Sequence, residues 1–174
     1  MHNLRFLLVA LTIPVTAQDS DKVFEPFEGD GFGIWEETGT AFGKAPTAGG
    51  HGELAGKVQG YAGESFASSF AQGDAGTGSL TSPPFTIELP YISFLVGGGS
   101  AAGQTAVQLV VGDKVVREEV VQDDNLLLPR TWDVRDLIGQ EARLRLLDSR
   151  IEASGYIMAD HLVFTGYPNT KFPN

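Results

Sequence analysis

Cysteine is absent from the chain, so a disulfide framework, a thiolate zinc site, a cysteine nucleophile and a lipidated cysteine anchor are all excluded. Basic residues are scarce, 12 against 22 acidic ones, and the net charge of −10 repels nucleic acid and anionic lipid, which are gripped by clustered Lys and Arg. Long apolar runs are missing too. The longest, residues 6–15, is about ten residues, half of what a bilayer-spanning helix needs. Helical periodicity is nearly absent, and no internal repeat or linker divides the chain.

What is present begins with a short basic leader, Met1 to Arg5, followed by that apolar run and by Val15-Thr16-Ala17. This is the three-part layout of a secretory signal cut after a small residue. It predicts export, to an extracellular or periplasmic compartment, with residues 1–17 as the signal peptide. Residues 18–166 then form one domain, large enough to bury a core without staples, and 167–174 a frayed tail.

Twenty-two glycines and recurrent Pro and Asp clusters break the chain every 8–12 residues. Between them, β-branched and aromatic runs predict strands at 23–28, 35–40, 64–69, 78–81, 85–88, 92–96, 105–111, 114–121, 126–133, 142–147 and 155–165. Gly112-Asp113 is a two-residue hairpin signal. Thr81-Ser82-Pro83-Pro84 separates two strands, because proline cannot donate to a ladder. The expected architecture is all-β, a two-sheet antiparallel jelly-roll sandwich.

Alternation assigns faces. In the last strand Tyr156, Met158, Asp160, Leu162 and Phe164 share one side, so Asp160 interrupts an apolar face. Leu144, Leu146 and Asp148 share another, and Glu28 lies with Phe24. Buried carboxylates need a hydrogen bond, an ion pair or a metal. If the first and last strands pair, Glu28 and Asp160 can hold a structural calcium, with Asp30 of the following turn adding oxygen. Hydrogen bonds to backbone, or an arginine, would serve Asp160 equally well.

Catalytic machinery is hard to find. Glu36-Glu37 and Glu118-Glu119 are neighbours in sequence but point to opposite strand faces, so neither pair forms a dyad. No G-x-S-x-G elbow occurs, and the glycine clusters at 73–78 and 97–99 lack the Lys-Ser/Thr of a phosphate loop. Trp35, Tyr61 and Tyr156 are candidate sugar platforms, as rings with a polar handle, although each also suits the core.

Three stretches taken in order resemble a known module. They are Phe27-Glu28-Gly29 through Trp35 to Gly43; Gly73-Asp74 through Gly78-Ser79-Leu80-Thr81-Ser82-Pro83 to Gly97-Gly98-Gly99; and Trp132-Asp133-Val134 through Asp148 to Asp160-His161-Leu162. Over residues 24–165 the chain is similar to the β-sandwich accessory module of levanases and other enzymes of glycoside hydrolase family 32. The resemblance implies a carbohydrate-binding-module-like sandwich, a polysaccharide or a secreted glycoside hydrolase as partner, and calcium at Glu28 and Asp160. The chain departs from related modules at Ala153–Tyr156, where Gly-Trp-Gly-His is common, and at Ser100-Ala101, where a histidine often stands. The Asn-Asp-Pro-Asn, Arg-Asp-Pro and Glu-Cys signatures of the family's catalytic domain do not occur. The expectation is a secreted, non-catalytic module that binds fructan or a related glycan. The alternative is a structural or protein-interaction domain that packs against a secreted enzyme or a surface protein without binding sugar.

Overall fold

The computed structural model describes residues 21–99, 101–121, 124–153 and 155–173; the expected signal segment lies outside the described residues. Eleven strands follow one another: β1 (Lys22–Glu25), β2 (Glu36–Gly39), β3 (Ala67–Ser68), β4 (Gly78–Thr81), β5 (Phe85–Thr86), β6 (Tyr91–Gly98), β7 (Thr105–Val111), β8 (Lys114–Glu119), β9 (Asp124–Asp133), β10 (Glu141–Asp148) and β11 (Ile157–Thr165). They form two antiparallel sheets, one ordered β1-β11-β6-β9 and the other β2-β4-β10-β7-β8. Among the described residues no helix is long and apolar enough to cross a membrane.

Period-2 burial builds the sandwich. Along β10, Ala142, Leu144, Leu146 and Asp148 are buried and the residues between them half-buried or exposed. Leu144 and Leu146 meet Phe94, Val96, Leu109 and Ile157 in the core between the sheets. The Gly112-Asp113 hairpin joins β7 to β8 as expected, with Val111 opposite Lys114 and Gly112 at φ 57°.

Each sheet contains one strand whose flank is shared by two short partners. Along β10, β4 pairs with Arg145–Asp148 and β5 with Glu141–Ala142. The Ser82-Pro83-Pro84 break falls between them, and Ser82 fills the seam: its N–H donates to Leu144 O at 2.8 Å, and its Oγ accepts from Leu144 N at 2.9 Å. Along β11, β3 pairs at Met158 and Ala159 and β1 at Leu162–Phe164. The seam there is a β-bulge at Asp160–His161, with His161 at φ 48°.

That bulge corrects the expected faces of β11. Ile157 and Ala159 point into the core between the sheets, and so do Leu162 and Phe164, because the extra residue reverses the alternation. Met158 and Tyr156 lie on the other side. Three further expectations change. β1 stops at Glu25, ahead of Pro26, so Glu28 belongs to a turn; 64–69 contributes only the two-residue β3; and β11 begins at Ile157.

The outer face of the β1-β11-β6-β9 sheet is not left to solvent. Leu95, Leu127, Tyr156 and Met158 carry a second apolar cluster, closed from above by Leu54, Val58, Ala62, Phe66 and Phe70. The covering segment is strapped along the edge of β9 by Gln59, whose N–H donates to Asn125 O and whose carbonyl accepts from Leu127 N. Gly60 follows at φ 80°, and a Cβ there would lie 2.4 Å from Leu127 O. Residues 167–173 carry no strand or helix, but Phe172 packs on this second cluster.

Candidate functional site

Asp160 is fully buried in the seam of β11. Its Oδ2 accepts from Ala62 N at 2.7 Å and its Oδ1 from His161 N at 2.7 Å. Burial pushes its carboxyl up to about 7 despite these two bonds, and the negative charges of Glu28 and Glu25 push the same way. No Lys or Arg pairs with it among the described residues.

Both oxygens of Glu28 accept from Glu64 N, at 3.0 and 3.1 Å, and Gly63 passes so close that a Cβ would lie 2.0 Å from Glu28 Oε1. Glu25 accepts from Phe27 N and from Trp35 Nε1, both at 2.8 Å. Asp30 is exposed in the turn beyond. Among the described residues no three Asp, Glu or His side chains close around one point, so Glu28, Asp30 and Asp160 are not brought together as a ligand set. The excess of negative charge fits a cation, but the side-chain count does not; calcium here would draw its remaining oxygens from backbone carbonyls.

Two of the three aromatic candidates are packed into the interior. Trp35 is 8% exposed, with its ring against Phe24 and Phe27 and its N–H on Glu25. Tyr156 is 6% exposed, edge-on to Phe70, and its hydroxyl lies 2.8 Å from Asn125 Oδ1. Tyr61 is half-buried against Phe66. The covered rings of Trp35 and Tyr156 give no open platform for a pyranose, whereas the Tyr61 ring keeps a partly exposed edge. Sequence patterns flag a ring with a polar handle and cannot tell which end is covered.

A second buried acid, Asp148, ends β10. Its Oδ2 accepts from Ser69 Oγ at 2.6 Å and its Oδ1 from Arg150 N at 3.2 Å. Burial raises this carboxyl to about 6, the two hydrogen bonds oppose the rise, and Asp74 adds to it. Asp74 in turn accepts from Gly155 N at 3.3 Å. The two acids thus clamp the 3₁₀ segment Ser69–Ala75 to the connection between β10 and β11.

Two hollows among the described residues carry charged side chains in their lining. One, of about 590 Å³, is lined by Arg117, Trp132, Asp133, Arg135 and Asp136, but its charges are spent on one another. Arg117 pairs with Asp136 and Arg135 with Asp133, and the Arg135 hydrogen bond holds the Asp133 carboxyl below its usual range. The other, of about 330 Å³, is lined by Glu37, Gly39, Thr40, Gly43, Lys44 and Gln72. Sequence reasoning missed it, because it joins edge strand β2 to residues from two separate loops.

No family model matches the sequence. Over 157 residues the chain is 37% identical to the putative glycosyl hydrolase ecdE of Aspergillus rugulosus, an alignment covering 87% of this chain and 22% of that protein. The chain therefore spans about a fifth of the curated relative's length. Among solved structures, the K2 cleaved adhesin domain of Lys-gingipain superposes with a TM-score of 0.54 at 16% identity, over 84% of this chain and 99% of that one. This likeness shows the sandwich fold. TmCBM61, solved in complex with β-1,4-galactotriose, gives 0.49 at 14% identity, over 81% of this chain and 94% of that one.

Proposed function

We propose that this chain is a non-catalytic carbohydrate-binding or accessory module that works with a glycoside hydrolase outside the cytoplasm, on fructan or a related polysaccharide. One observation carries the reading: nearly the whole chain matches a segment making up only 22% of a protein named as a glycosyl hydrolase. A self-contained sandwich of that size is the dimension of an accessory module. The leader at 1–17 supports export, and the order of motifs from Phe27 to Leu162 supports the fructan class.

The acids support a binding role over hydrolysis. A glycosidase needs two carboxyls flanking a cleft, one with a raised pKa. Here the two raised acids, Asp148 and Asp160, are fully buried and held by backbone and serine donors, away from both polar hollows. The acids that do line the larger hollow are ion-paired. Calcium at Asp160 and Glu28, as the missing counter-charge, belongs to the same reading.

A second reading is a structural domain that packs against an enzyme without touching sugar. The covered rings of Trp35 and Tyr156 favour it. Affinity electrophoresis in gels containing levan, inulin and a panel of plant and algal glycans separates the two. Retardation in any gel supports the binding module. Unchanged migration in all of them, together with capture of a secreted hydrolase, replaces it with the structural domain.

A further inference from the structure

The smaller hollow has the build of a ligand site. In β2, Glu36 stands opposite Thr81 and Glu37 opposite Leu80. Leu80 is buried in the core, so Glu37 points to the inner side of the sheet, and at this edge strand that side is open to solvent. Two residues on, Gly39 at φ 72° brings the strand close against the next one, where a Cβ would lie 2.1 Å from Thr77 O.

The facing wall is Gly43, Lys44 and Gln72. It is fixed to the sheet by backbone bonds, Thr40 N to Thr77 O at 2.9 Å and Ala71 N to Ala41 O at 3.1 Å. Gln72 lies at the kink before Gly73 in the Ser69–Ala75 segment, between the Ser69–Asp148 and Asp74–Gly155 bonds that tether it on either side. The backbone of the walls is thus tied before any ligand arrives, while the exposed side chains of Glu37, Lys44 and Gln72 are left to order on binding.

The chemistry of the lining is complementary to hydroxyl groups. Glu37 only accepts, Lys44 only donates, and Gln72 and Thr40 do both. None of these four side chains is engaged by a hydrogen bond or ion pair with another described residue. One negative and one positive group cancel, which favours a neutral ligand over an anionic one. An inward charge on an edge strand also guards against sheet-to-sheet pairing. That role accounts for Glu37 but not for Lys44 and Gln72 meeting it across the same space.

We propose that this hollow holds one neutral sugar unit by its hydroxyls. The inference rests on the carbohydrate-binding reading above and gives it a place. With no ring in the lining, stacking contributes nothing and the affinity of a single unit is weak.

The test is a ¹H–¹⁵N titration of the full chain with D-glucose, D-galactose, D-fructose and D-glucuronate. Neutral hexoses are expected to shift the amides of Gly39, Gly43 and Gln72. Glu37→Ala and Gln72→Ala are each expected to weaken binding about fivefold or more, the loss of one or two hydroxyl contacts, with unchanged melting. Shifts centred elsewhere, wild-type affinity in both variants, or preference for glucuronate would overturn the site. Polysaccharide retardation that both variants retain would overturn the hollow and leave the module reading standing. Silence in the titration and in every gel would remove both.

Discussion

The Ser69 hydroxyl donates to the Asp148 carboxylate at 2.6 Å and, through the same oxygen, accepts from the Ile157 N–H at 2.8 Å. Asp148 ends a strand of one sheet and Ile157 opens a strand of the other, so a single buried serine couples the two layers. Ser69→Ala leaves an acceptor and a donor unmet in a site with no exposure. Urea denaturation at pH 7.5 is expected to show a loss of about 2 kcal/mol or more.

The raised carboxyl of Asp148 makes stability depend on pH in an unusual direction. With its folded value at about 6 against 3.8 unfolded, the folded state holds the proton more tightly. The associated stability is fully present below about pH 4 and is lost as pH rises through 6, a swing on the order of 2–3 kcal/mol. The urea midpoint is expected to fall between pH 5 and 7.5, with the Asp160 carboxyl, raised to about 7, adding to the fall in the same direction. Asp148→Asn should remove only the Asp148 share of that slope and leave the Asp160 share in place.

The Trp35 ring is predicted to act on stability alone. Trp35→Phe keeps most of the packing against Phe27 but removes the indole N–H that Glu25 Oε2 accepts at 2.8 Å, leaving Glu25 with the Phe27 N–H alone. The expected cost is about 1–2 kcal/mol in unfolding free energy. Mobility in any glycan gel that retards wild type should be the same for the variant, and a lost shift would return the ring to the binding site.

Calcium offers a direct reading of the Asp160 seam. If a cation relieves the charge shared by Asp160, Glu28 and Glu25, millimolar CaCl₂ at pH 7.5 raises the melting temperature by several degrees over EDTA, in line with mass action. Asp160→Asn and Glu28→Gln should abolish the rise. An unchanged melting curve for wild type would leave the backbone donors of Ala62 and His161 as the only partners of the buried acid.

Much of the sandwich was legible because strand periodicity and turn chemistry are local. Gly112-Asp113 announced its hairpin, Pro83-Pro84 its break, and the apolar neighbours of Asp148 and Asp160 marked both as buried acids. The bulge at His161 was not legible, since one left-handed residue reverses a face without any change in composition. The opposite faces of Glu36 and Glu37 followed from strand geometry alone. The hollow beside Glu37 did not, because its far wall is set by bonds between residues some thirty positions apart, such as Ala41 and Ala71. Nor could the sequence show that a loop would roof one sheet, burying the tyrosine that composition offered as a platform.

The pairing of β1 with β11 has one further consequence. Lys22 stands opposite Phe164, and the Asp21 carboxylate takes the Thr165 hydroxyl, so the start of the first strand and the end of the last are bound at a single corner. A segment fused upstream would be tethered to that corner, whereas one fused downstream would start from the tail that seats Phe172 on the outer cluster, beside His161.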